Sequence, residues 1–274
     1  MLRTGLASAA AALVIAAPGC ARERPSAAVG LDIAPCEHGY DGYEADCGQL
    51  RVYENRETRS GRVIPINFIR VRAKDGASGE DALFALTGGP GENASASAQR
   101  VIATSRSLAS RDLVILDQRG TGKSNPLDCV RYDLEARPEA FAEMFEKSFF
   151  DADRFRTCKD ELSGIADLTQ YTTSIIADDI DDLREALGYK TMTLAGASYG
   201  TTLALETIRR HGAHVRAAVL TGATPPWVNQ TETIASDTET MLEALFLACE
   251  ADSACNGAYP SFRNDFHDVL ERVR

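Results

Sequence analysis

The sequence contains no apolar run of the ~20 residues that a membrane-spanning helix needs. It is also short of positive charge. In 274 residues, 29 Lys and Arg stand against 40 Asp and Glu, a net charge of −11. That deficit excludes nucleic acid as an expected partner, because phosphate binding needs a basic face. Histidine is scarce, with four residues and no H-E-x-x-H or His-rich arrangement, so no metal or other cofactor is expected. No segment repeats. What is present is ordinary for a globular chain: 44% apolar and 25% charged residues, which excludes wholesale disorder. The length allows one large domain or two small ones.

The first residues read as an export signal. Met1-Leu2-Arg3 gives a short positive region, and Gly5 to Ala17 is an uncharged, mostly apolar run. Such a run is too short to span a bilayer and suits a signal peptide. It ends in Ala17-Pro18-Gly19-Cys20, which resembles the cleavage box of bacterial lipoproteins, with Ala17 where Leu is usual. Residues 1–19 are therefore expected to be removed and Cys20 to carry lipid; the alternative is a plain secretory signal. A lipid would tether the protein to a membrane without spanning it. Residues 20–34 are expected to be a flexible tether, and the protein to reside in a bacterial cell envelope.

Seven cysteines are present: Cys20, Cys36, Cys47, Cys129, Cys158, Cys249 and Cys255. Giving Cys20 to the lipid leaves six. They fall into three local pairs, 36 with 47, 129 with 158 and 249 with 255, which is one of fifteen connectivities. Six unpaired thiols would instead belong to a reducing compartment.

Further along, strands alternate with helices. Residues 49–53 and 63–71 alternate apolar and polar and read as antiparallel strands. Residues 82–86 and 113–116 are continuous apolar runs, as buried central strands are. Residues 137–163 look helical. Ile176, Ile180, Leu183 and Leu187 recur at helical spacing, closed by Gly188. Residues 192–195 read as a strand, 199–211 as a helix and 215–220 as a last strand. From Asn229 onward only helices are expected. This order predicts an α/β fold with a mostly parallel sheet, its core over 35–224 and helices over 225–274.

The chemistry is expected at the strand ends. Gly196-Ala197-Ser198-Tyr199-Gly200 is a G-x-S-x-G between strand and helix. There a sharp turn lifts a serine hydroxyl above the sheet, and only glycine tolerates the crowding on either side. Ser198 is the candidate nucleophile. Gly88-Gly89-Pro90-Gly91 follows another strand. Its Gly89 N–H, with Gly88 close behind, would join the Tyr199 N–H in an oxyanion hole. Gly120-Thr121-Gly122-Lys123-Ser124 looks like the end of a phosphate-binding loop. However, Asp117 stands where that motif needs Gly, and Asn125-Pro126 follows where it needs a helix. Asp178, Asp179, Asp181 and Asp182 form a run on an amphipathic helix, expected to be its solvated face and no metal site.

These three glycine-rich stretches, in this order and spacing, resemble the α/β-hydrolases, and the proline iminopeptidase and secreted tripeptidyl aminopeptidase group in particular. The paired Cys36 and Cys47 and the Cys249-to-Cys255 segment are similar to exported members. The resemblance covers residues 36 to about 270. It implies an acyl-enzyme on Ser198, oxyanion donors at Gly89 and Tyr199, and a peptide or small acyl substrate. It also implies that residues 225–274 begin a helical lid. Thr87 stands where proline iminopeptidases carry His. Carboxylates under a lid would hold a free amino terminus, with Glu232, Asp237 and Glu239 as candidates.

In this fold the triad acid and base follow the nucleophile, and no counterpart is legible after Ser198. His38, His211, His214 and His267 all read as structural or surface residues. The chain is therefore expected to be the N-terminal part of a hydrolase, weak or inactive alone, with an open sheet edge and poor stability. A second polypeptide supplying the missing strands is one expected partner. The alternatives are an esterase with the same machinery and a non-catalytic binding protein on a hydrolase scaffold.

Overall fold

The computed structural model describes residues 26–40, 42–74, 79–104, 110–129 and 152–272. The expected signal peptide, Cys20 and most of the helix expected over 137–163 lie outside the described residues.

Seven strands form one sheet: β1 (Ala28–Pro35), β2 (Ala45–Tyr53), β3 (Val63–Val71), β4 (Asp81–Leu86), β5 (Leu113–Leu116), β6 (Thr191–Ala197) and β7 (Val215–Thr221). Their order is β1-β2-β3-β5-β4-β6-β7. β1 to β3 pair antiparallel, as do β3 and β5. β5, β4, β6 and β7 run parallel. β4 and β5 are the continuous apolar runs, and both are buried along nearly their whole length. β2 and β3 alternate, sending Leu50, Val52, Ile64, Ile66 and Phe68 into one core.

Each sheet face has its own core, set by the two-residue period of the strands. One face packs against α3 (Thr173–Ala186) and α4 (Tyr199–His211) through Ile176, Ile180, Leu183 and Leu203. Thr172 caps α3, its side chain accepting from Ile175 N–H, and Gly188 follows its end at φ +81°, a left-handed conformation that favours glycine. The other face packs against α1 (Ala98–Thr104) through Ala98 and Ile102. α2 (Ala152–Ser163) is the described end of the helix expected over 137–163.

The tether expected over 20–34 needs correction over its second half, while residues 20–25 lie outside the described residues. Ala28–Pro35 is an edge strand, with Leu31 opposite Leu50 and Asp32 opposite Gln49. Val29, Leu31 and Ile33 carry the two-residue period, but most of the strand is half-buried or exposed, so its apolar contrast is weak. The Asp32–Arg51 ion pair (3.1 Å) and the Cys36–Cys47 disulfide fasten it to β2. The other two local pairs, Cys129–Cys158 and Cys249–Cys255, are also bonded.

Residues 224–274 form a second compact unit of three helices: α5 (Gln230–Ala251), α6 (Ser253–Ala258) and α7 (Phe262–Arg272). Its centre is Phe246, edge-on to Phe262 and Phe266 at 5.4 and 5.5 Å between centroids. Arg263 lies over the Phe246 ring and pairs with Glu243 and Glu250. Among the described residues, no helix is long and apolar enough to cross a membrane.

Candidate active site

Ser198 occupies the turn between β6 and α4, and its backbone sits at φ 52°, ψ −125°. That conformation is rare for any residue with a side chain. The surroundings explain why it persists. A Cβ on Gly196 would lie 2.5 Å from Gly200 O, and a Cβ on Gly200 would lie 2.0 Å from Leu86 O. Neither position accepts a side chain, so the two glycines allow α4 to start directly against β4 and β6. Ser198 N–H donates to Thr221 O (3.0 Å), which ties the turn to β7. Thr201 donates to Ser198 O from both its backbone N–H and its hydroxyl. Ser198 itself is exposed. The Tyr199 N–H is the first of α4, a position with no intrahelical acceptor. The Tyr199 ring is anchored by a 2.9 Å hydrogen bond to Thr173, and burial pushes its phenol above the ordinary value, against that bond.

The glycine loop after β4 comes up against this serine. A Cβ on Gly88 would be 3.2 Å from Ser198 Cβ. Gly89 adopts φ +102°, where a Cβ would meet Gly91 N at 2.8 Å. Sequence reasoning missed Glu92. Its Oε2 accepts the Gly88 N–H (3.2 Å), and its Oε1 accepts from Ser97 Oγ and Arg100 Nη2, each at 3.0 Å. Gly88 is thereby engaged, which leaves Gly89 as the candidate donor of the pair.

The stretch Gly120 to Ser124 wraps a carboxylate of its own chain. Asp117, fully buried, accepts from Lys123 N–H (3.0 Å), Ser95 N–H (2.8 Å) and Oγ (2.9 Å), and Asn67 Nδ2 (2.9 Å). A Cβ on Gly122 would lie 2.4 Å from the Asp117 carboxyl. The likeness to a phosphate loop thus has a structural cause, a nest around a built-in anion.

The aspartate run on α3 needs a second correction. Asp178, Asp179, Asp181 and Asp182 are all buried, not a solvated face. Arginines from other elements, and Arg184 of α3 itself, cover them. Arg119 makes a two-pronged pair with Asp179, both contacts at 2.6 Å. Arg56 bridges Asp179 and Asp182 at 2.7 and 2.6 Å. Arg210 pairs with Asp178 and Arg184 with Asp181. Burial raises the Asp182 carboxyl, and Arg56 only partly offsets it. For Asp181 burial acts the same way, but Arg184 and the neighbouring histidines win and the value falls. Asp181, His211 and His214 hold ligand-type atoms within 4.8 Å of one another. Arg184 already reaches both Asp181 Oδ1 (2.7 Å) and His214 Nδ1 (3.1 Å), the atoms a cation would need.

Within residues 26–223, the hydrogen bonds of His211 and His214 go to Arg184, Asp178 and Asp181, not to Ser198. His211 ends α4, thirteen residues beyond Ser198 or about 20 Å along a helix, and His214 follows it. His38 is an exposed loop residue, and in the second unit His267 lies tilted against Phe246 and edge-on to Phe266. Glu232, Asp237 and Glu239 are exposed on α5.

A sequence model of the alpha/beta hydrolase fold matches residues 81–266. The chain belongs to the α/β-hydrolase fold family. Curated relatives agree with that placement. Serine protease Hip1 of Mycobacterium tuberculosis is 30% identical over 253 residues, covering 82% of this hydrolase-family chain and 47% of the relative. Carboxylesterase B of the same species is 31% identical over 199 residues, covering 69% and 38%. The chain spans about half the length, or less, of these relatives.

Proposed function

We propose that the chain is the nucleophile-bearing part of an exported serine hydrolase. The Ser198 Oγ attacks a carbonyl carbon and gives up its proton to a general base. The tetrahedral oxyanion is met by the Tyr199 and Gly89 N–H groups, and the leaving group departs with that proton. Water then resolves the acyl-enzyme by the same route. The observation that carries this reading is the Ser198 backbone, held where a side chain costs ~1–3 kcal/mol by two glycines that admit no Cβ. Such strain at an exposed hydroxyl serves presentation, not packing. Three disulfides support an oxidising compartment.

Within this reading the acid and base come from polypeptide other than residues 26–223, where His211 and His214 pair with Asp178 and Asp181 and His38 is an exposed loop residue. Within this reading we favour an aminopeptidase-type peptidase, from the likeness of the glycine loop and the 117–124 stretch to proline iminopeptidases. Thr87 in place of His weakens any preference for proline. A relative named carboxylesterase favours the second reading, an esterase. Aminoacyl anilides, their N-acetylated forms and simple acyl esters separate the two. Hydrolysis lost on N-acetylation is the aminopeptidase result, and hydrolysis indifferent to it leaves the esterase.

A further inference from the structure

The glycine loop after β4 has little of its own to hold it. Gly88, Gly89 and Gly91 carry no side chain, and Gly89 and Gly91 adopt φ +102° and +101°. Among the described residues, no backbone–backbone hydrogen bond reaches residues 88–92. Glycine loses more conformational freedom on being fixed than any other residue. An N–H carried by such a loop therefore needs an anchor outside it.

Glu92 supplies the anchor. Its side chain turns back over the loop, and Oε2 accepts the Gly88 N–H at 3.2 Å. Oε1 accepts from Ser97 Oγ and Arg100 Nη2, each at 3.0 Å, and Arg100 Nη2 also donates to Ser97 Oγ at 3.0 Å. Ser97 directly precedes α1, and Arg100 lies in the first turn of that helix. Buried Ala98 and Ile102 fix α1 to the sheet. The residues between are pinned separately: Asn93 Oδ1 accepts the Ala96 N–H, and Ser95 donates twice to Asp117. Among the described residues, the Glu92 carboxylate is the hydrogen-bonded link from the glycine loop to a packed helix.

This link acts beside the nucleophile. A Cβ on Gly88 would lie 3.2 Å from Ser198 Cβ and 3.7 Å from its Oγ. Holding the Gly88 N–H fixes the peptide plane just before the one that carries the Gly89 N–H. A lone carboxylate so near a developing oxyanion would oppose it, and the Arg100 ion pair offsets that charge.

We propose that Glu92 is a positioning residue, which locks the glycine loop to α1 so that the Gly89 N–H meets the oxyanion. Its effect on rate rests on the hydrolase reading above; its hold on the loop does not.

The test separates reach from charge, in protein isolated from its own cells. One readout is hydrogen exchange of the Gly88 amide. The other is the rate of fluorophosphonate labelling, in which Ser198 Oγ displaces fluoride and the phosphonyl oxygen takes up charge. Glu92→Ala is expected to speed exchange about fivefold, the loss of one hydrogen bond, and to slow labelling about tenfold or more. Glu92→Asp keeps the charge but falls short of Gly88, and is expected to act in the same direction. Glu92→Gln keeps an acceptor without the charge, and is expected to recover the protection and most of the rate. Unchanged exchange in the Ala and Asp variants overturns the hold. Faster exchange with unchanged labelling overturns the positioning role, as does a Gln variant no better than Ala, or a rate that merely follows the thermal midpoint. A wild-type protein that takes no label at Ser198 sinks the hydrolase reading and the positioning role with it, while exchange still decides the hold.

Discussion

Ser198 shows most clearly how the backbone of one turn residue costs stability. Its left-handed backbone is conformationally costly, and glycine at that position removes the cost. Ser198→Gly is expected to raise stability by up to about 1 kcal/mol, after the entropy that glycine loses on folding. Urea denaturation checks it, and a loss of stability contradicts the strain. Gly200→Ala acts the other way. Its methyl would lie 2.0 Å from Leu86 O, a backbone atom that cannot swing aside. The expected cost is about 3 kcal/mol or more, read from the same denaturation curves. Both glycines and the serine were legible in the sequence, because the turn admits so few residue types. Glu92 was not. Its hold on Gly88 N–H depends on how the loop doubles back, which no residue pattern announces.

At the scale of elements, α3 shows where sequence reasoning correctly found a helix and misread its face. The spacing of Ile176, Ile180 and Leu183 fixed the buried stripe, but the aspartates between them are buried as well. Arg184 is a local partner of Asp181, but the arginines that cover Asp178, Asp179 and Asp182 arrive from residues 56, 119 and 210, far apart in sequence, so local charge patterning could not reveal their pairing. Arg119 joins the loop after β5 to α3 through Asp179, and its side chain is fully buried. Asp179→Ala strands that charge, with an expected loss of about 3–5 kcal/mol measurable by urea denaturation. A loss below 1 kcal/mol would show the pair to be dispensable. On the antiparallel side, burial works to raise the Asp46 carboxyl, but Arg72 and Arg70 hold it below the ordinary carboxylate value. The unfolded chain then binds the proton more readily than the folded one. This contribution is fully present above about pH 4 and is lost as pH falls through the depressed folded value. Asp46→Asn is expected to flatten that part of the acid limb in urea midpoints taken from about pH 6 to about pH 2. An unchanged acid limb would show the clamp contributes nothing.

For the whole molecule, the parallel strands and their helices were legible because continuous apolar runs and 3.6-residue stripes are strong signals. β1 was not, because an edge strand half in water shows little contrast. The cysteine pairs could be named but not chosen among fifteen connectivities. β7 pairs with β6 alone and is exposed along nearly its whole length, which leaves the sheet short of buried apolar surface. The isolated 274-residue chain is therefore expected to melt broadly in calorimetry, and a sharp cooperative transition would contradict that shortfall. The central claim, that Ser198 is a nucleophile, is tested most directly on protein isolated from its own cells with whatever it binds still attached. That protein is treated with a fluorophosphonate probe and the adduct is mapped, with Ser198→Ala as control. The expected result is a single adduct at Ser198, absent from the variant. A folded protein that takes no adduct, or takes it at another residue, would contradict the claim.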